Sequence, residues 1–125
     1  MIGEVIIVTN NPLSKDKLRA KHEIHFVEGG VMKVLETARD YIHCGHNLLT
    51  HPLMGSVKPN ETPYKTIVLS KNSRKSVDFK SLQYIEDSIN TTQKFTRNYN
   101  TPHWNDKILT DFSLIDYDLI RNAFE

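Results

Sequence analysis

Residues Glu4–Thr9 read EVIIVT, and a helix-start signal follows at once in Asn10-Asn11-Pro12. This junction constrains the fold more than any other feature of the chain. An unbroken apolar, β-branched run is the mark of a strand buried on both faces. Asn11 suits a helix N-cap, and Pro12 suits the first helical turn. A buried strand that enters a helix without a linker implies a helix packed back onto its sheet. The chain then repeats the unit. His22–Val27 (HEIHFV) reads as a second strand closed by Glu28-Gly29-Gly30. Val31–His43 carries apolar residues at 31, 34, 35, 38 and 42, one helical stripe. Gly45 stands where a helix C-terminal glycine belongs.

The first helix is expected from Pro12 to about Ala20. Asn47–His51 reads as a short third strand and Lys65–Ser70 (KTIVLS) as a fourth. Another helix is expected from Asp78, with Leu82, Ile85, Ile89, Thr92 and Phe95 on its apolar face. A last helix is expected from near Ser113. There Asp116 would complete a variant capping box, and Phe112, Ile115, Leu119 and Ala123 would face inward. The order β-α-β-α-β-loop-β-α-α predicts one α/β domain over residues 1–125. Its architecture is expected to be three-layer and Rossmann-like, with a mostly parallel four-stranded sheet of order 2-1-3 plus a fourth strand, and helices on both faces. No helix precedes the fourth strand, so it either hairpins back on the third or crosses over through an extended loop.

Composition removes several classes of function. The 125 residues suit one domain with a real core. Sixteen basic residues against fifteen acidic ones leave a net charge of +1, too little for indiscriminate binding of nucleic acid. The balance is uneven along the chain: Lys58, Lys65, Lys71, Arg74 and Lys75 cluster in one stretch, and the last twenty residues are acidic. One cysteine, Cys44, excludes an intramolecular disulfide framework and reads as a buried or inert thiol. No apolar run reaches the roughly 20 residues of a membrane span, and no signal-peptide pattern opens the chain. A cytoplasmic protein without membrane contact is the expectation. Six histidines show no metal-ligand spacing, so no metal site is expected. Gly-x-Gly-x-x-Gly and Walker patterns are absent, and the cofactor is left unknown.

Ligands of open α/β sheets bind beyond the carboxyl ends of the strands. Three segments leave those ends, and each carries candidate binding residues. Asn10 and Asn11 lie at a helix N-terminus, which favours an anion, although capping alone explains Asn11. Glu28 is followed by two glycines. The strongest signal is the loop from His51 to Lys65, stiffened by three prolines. In it Lys58 and Lys65 can hold a phosphate or carboxylate, Ser56, Asn60 and Thr62 can donate hydrogen bonds to it, and Tyr64 is counted with them as a binding residue. His51 or Glu61 can move a proton. Trp104 and Tyr99 either anchor a partner or pin the Asn98–Asp106 segment to the core.

Several of these stretches resemble a known family. They are Ile6–Pro12 (IIVTNNP), Phe26–Gly29 (FVEG), Gly45-His46, and above all Leu49–Lys65 (LTHPLMGSVKPNETPYK). They are similar to the GrdX family, small proteins encoded beside the glycine, sarcosine and betaine reductase genes of amino-acid-fermenting anaerobes. The resemblance covers roughly the first 95 residues. It implies an accessory protein without an assigned catalytic activity, so it supplies no site residues. One cysteine argues against a redox subunit.

Three functions follow as expectations. The first is non-catalytic binding of a small anionic metabolite or nucleotide-like group at the carboxyl sheet edge. The second is a protein–protein adaptor that contacts reductase subunits or forms a homodimer. The third is a small acid–base enzyme using His51 or Glu61, against which stands the lack of a nucleophile–base pair.

Overall fold

The computed structural model describes residues 4–53 and 58–124. Strands form where the apolar runs predict them. β1 (Val5–Thr9) is buried at every position, and β3 (Thr66–Ser70) is buried at its first four. β2 (Glu23–Phe26) alternates exposed and half-buried residues. A strand buried throughout belongs in the middle of a sheet, and the order is β2-β1-β3. β1 pairs parallel with β2 and antiparallel with β3, so that Ile7 lies between Ile24 and Val68.

Side chains alternate across this sheet. Val5, Ile7 and Val68 face α1 (Pro12–Leu18) and α4 (Asp106–Phe124), meeting Leu18 and Ile120. Ile6, Val8, Ile67 and Leu69 face α2 (Val31–His43) and α3 (Phe79–Asn98). All five stripe residues of α2 are buried. Each fully buried Ile or Leu contributes roughly 2 kcal/mol by leaving water.

The sheet is three-stranded and mixed, with a single parallel pair. This corrects the expectation of a four-stranded, mostly parallel, Rossmann-like sheet. Asn47–His51 is not a strand; it makes one antiparallel bridge, from Leu48 to Leu69. Thr50 meets the Val68 N–H with its side-chain hydroxyl at 3.2 Å, and Leu49 and His51 stay exposed. The more apolar KTIVLS run takes the place beside β1. Asn47–Leu49 runs alongside it in the opposite direction, with Ser70 N donating to Asn47 O at 2.8 Å and Leu49 N to Val68 O at 2.9 Å. The intervening loop is therefore a wide hairpin, which cannot deliver a parallel neighbour.

Helix ends follow local chemistry. Asn11 Oδ1 accepts from Leu13 N at 3.0 Å and caps α1. α2 ends in a Schellman motif, with Gly45 N donating to Ile42 O and His46 N to Tyr41 O. Cys44, the residue between, is exposed.

α4 begins at Asp106, where Asn105 Oδ1 accepts from Ile108 N at 2.9 Å. It thus starts seven residues before the expected Ser113, and Ser113 and Asp116 lie inside the helix rather than in a capping box. Its inward face is also rotated. Asp116 and Ile120 are buried, with Tyr117 packed beside them, while Ile115 and Ala123 are exposed.

Asp78 caps α3, accepting from Ser81 N at 3.0 Å and Ser81 Oγ at 2.7 Å. These bonds stabilise the carboxylate and lower its pKa. A depressed folded pKa means that the stabilisation is present above the ordinary carboxylate range and is lost as pH falls through the folded value. Asp78→Asn is therefore expected to reduce stability at pH 7 and to shrink the loss between pH 5 and pH 3. Urea denaturation across that range checks this; an unchanged acid limb would refute it.

Candidate functional site at the carboxyl edge of the sheet

The antiparallel direction of β3 brings the residues ahead of it to the edge that the chain leaves after β1 and β2. Asn10 ties the three segments together. Its Nδ2 donates to Gly29 O and Pro63 O, both at 2.9 Å, and its Oδ1 accepts from Lys65 N at 2.9 Å. Asn10 is buried, and both ends of its amide are engaged in joining protein segments.

Asn11 is also buried and faces the other side of the sheet. Its Nδ2 lies 3.0 Å from Asp116 Oδ2, 3.0 Å from Ser113 O and 3.1 Å from Ser14 Oγ. Thr66 Oγ1 donates to the same Asp116 oxygen and is 2.8 Å from Thr9 Oγ1. A carboxylate can only accept, so the Thr66 hydroxyl points its proton at Asp116, while the Thr9 hydroxyl also donates to Lys65 O at 3.1 Å. The network ties α4 to the sheet.

Between α2, α3 and the 3-10 turn Pro59–Glu61 lies a cleft of about 230 Å³. Gly30 and Val31, at the start of α2, form one wall, and Gly30 offers those first-turn amides no side-chain cap. Asn60 and Thr62 come from the long loop, Thr92 and Thr96 from α3, and Trp104 from the segment before α4. Asn60 Nδ2 donates to Asn100 O at 3.0 Å and thereby holds that segment over the cleft. The half-buried Trp104 belongs to this wall, whereas Tyr99 is exposed and stacks on Phe95.

Among the residues expected to bind a ligand, Asn60 and Thr62 line this cleft. Asn10 and Asn11 serve the scaffold as described. Glu28 and Lys58 are exposed, and Lys58 presents its carbonyl to Glu61 N and Thr62 Oγ1. Tyr64 and Lys65 line a narrow crevice against Phe112 and Leu119 of α4. Burial lowers the Lys65 pKa, and the Asp116 charge partly opposes this. Ser56 lies outside the described residues. His51 lines a separate groove with Asp78 and Tyr84; its Nδ1 accepts from Leu53 N at 3.1 Å. Glu61 is exposed on the 3-10 turn.

Sequence reasoning missed Thr92, Met32 and Trp104 as cleft residues. Thr92 stood on an expected core face, and only the tertiary placement of the loop opens that face to a cleft. The basic stretch does not form one patch: β3 separates Lys58 and Lys65 from Lys71, which pairs with Glu4 and Glu23 at 3.8 and 3.6 Å. Among the described residues, no group of three or more His, Cys, Asp or Glu side chains could hold a metal ion. No helix there is long and apolar enough to cross a membrane.

Together, fold and cleft define a small mixed-sheet α/β domain with a ligand-sized recess beside an uncapped helix N-terminus. Residues 6–125 match the GrdX-like proteins, and the chain belongs to that family. The match extends through α4, past the first 95 residues on which the resemblance had rested. No curated protein and no solved structure matches the chain.

Proposed function

We propose that this chain is a non-catalytic accessory protein of glycine, betaine and sarcosine reductase-type fermentation, and that it binds a small anionic group in the carboxyl-edge cleft. Family membership supports the setting. The cleft supports the binding role, and one observation carries it: the N-terminus of the 13-residue helix α2 opens into the cleft without a side-chain cap. Free amides and the helix dipole there favour a carboxylate. At about 230 Å³ the cleft is smaller than the roughly 300–1,000 Å³ of drug-sized sites, which favours a small metabolite over a nucleotide.

Gly30→Asp tests this reading. A Cβ at Gly30 meets nothing within 4 Å, so a side chain can start there without a clash. Its carboxylate would cap α2 and occupy the same amides. Propionate is expected to raise the melting temperature of the parent protein and to lose at least tenfold in affinity in the variant, which itself melts no lower. Equal propionate binding by both proteins would place the anion elsewhere.

A protein–protein adaptor is the second reading. It is favoured by Leu114 and Ile115, which are 49% and 48% exposed side by side on α4. Light scattering of the purified chain tests for a homodimer, and a pull-down with reductase subunits tests for a heteromeric contact.

A further inference from the structure

We propose that the carboxyl-edge cleft selects a small zwitterion, a carboxylate that carries its own N–H donor on an apolar body. This rests on the reading that the cleft takes the ligand, and adds what that ligand must present.

Two buried oxygens carry the inference. Asn60 is 4% exposed and Thr92 is 2% exposed, and both line the cleft. Among the described residues, Asn60 Oδ1 and Thr92 Oγ1 find no hydrogen-bond partner. Buried polar atoms are nearly always paired, so two orphans on one cleft are a signal. The Asn60 amide is held in orientation, because its Nδ2 already donates to Asn100 O. Turning it over would set oxygen against oxygen. Asn60 therefore offers an acceptor, and an acceptor calls for an N–H or O–H on the ligand.

The α2 N-terminus has the opposite polarity and offers donors. A ligand that satisfies both carries an anionic end and a donor end. Charge balance points the same way. Among the described residues, no Lys, Arg, Asp or Glu lines the cleft. A bare anion such as propionate would give up part of its hydration there with only the helix amides in return, and so binds more weakly than a ligand that brings a counter-charge. A zwitterion brings its counter-charge with it. Met32, Pro59, Pro63 and Trp104 supply the apolar remainder of the wall. At ~30 Å³ per water, the volume equals roughly seven or eight waters, the size of an amino acid with an apolar side chain.

The test is calorimetric titration of the full chain with three probes of one skeleton: L-leucine, 4-methylpentanoate without the amine, and 3-methylbutylamine without the carboxylate. L-leucine is expected to bind at least tenfold tighter than either. Thr92→Val is expected to weaken L-leucine about tenfold, the worth of one hydrogen bond. Its ligand-free melting temperature should hold or rise, since an unpartnered hydroxyl is gone, and Thr92→Ser should restore binding. If 4-methylpentanoate binds as tightly as L-leucine, the donor requirement falls while the carboxylate reading stands. If neither carboxylate binds, both fall. A ligand-free Thr92→Val protein that melts lower shows the hydroxyl bonded within the fold, and overturns the proposal.

Discussion

Asp116→Ala is expected to lower the unfolding free energy by roughly 3 kcal/mol and to loosen α4 from the sheet. Asp116 is buried, and its Oδ2 is the common acceptor for Asn11 Nδ2 and Thr66 Oγ1, with Ser14 Oγ at 3.5 Å. Alanine would remove the charged acceptor that these donors share. It would leave them only neutral partners, Ser113 O and Ser14 Oγ for Asn11 Nδ2 and Thr9 Oγ1 and Ser14 Oγ for Thr66 Oγ1. A hydrogen bond to a charged group is worth about 1.5–3 kcal/mol. Few other contacts compensate, because α4 reaches the core chiefly through Ile120 and Tyr117. Urea denaturation gives the stability, and hydrogen exchange shows where the loss is local. Protection should fall first in α4 while α2 and α3 keep theirs. Asp116→Asn keeps the shape and one acceptor oxygen, so it should cost less than alanine. An alanine variant as stable as the parent would mean that the network does not hold α4.

Gly45→Ala is expected to cost about 4 kcal/mol or more, a large share of the roughly 5–15 kcal/mol that keeps a domain of ordinary stability folded. Gly45 has φ +99°, in the region that L side chains avoid. A Cβ there would also meet backbone: Arg74 O at 2.0 Å and Arg74 C and N at 2.9 Å. Backbone cannot rotate away as a side chain can. Arg74 N donates to Gly45 O at 3.0 Å, so the segment after β3 is fastened to the end of α2 by the contact that alanine would break. Gly30→Ala is the control, since a Cβ at Gly30 meets nothing. It should shift the urea midpoint little. Similar midpoints for the two variants would refute the steric account.

Much of the fold was legible because local chemistry and burial agreed. The Val31–His43 stripe marked the boundaries of α2, Gly45 its end, and Asn11 and Asp78 the starts of α1 and α3. α4 was misplaced because its start signal, Asn105, sits in a segment that reads as a turn, and its inward residue at 116 is a carboxylate. A polar residue on a buried face looks like a solvent face until its partners are known, and those partners are 50 to 105 positions away. The site was legible in part. The loop residue Asn60 was among the expected binders, while Thr92 and Trp104 join it only through folding.

By itself, the sequence determined the three strands of the sheet, the helices α1 to α3 with Asn11, Gly45 and Asp78 at their ends, and the family to which the chain belongs. These depend on neighbours within a few residues, or on the order of residues alone. The tertiary structure decided the direction of β3, the fate of Asn47–His51 and the meeting of Gly30, Asn60 and Thr92 at one cleft. Strand pairing depends on which apolar run can be buried on both faces beside β1. That is a competition between segments distant in the chain, and only the packed molecule resolves it.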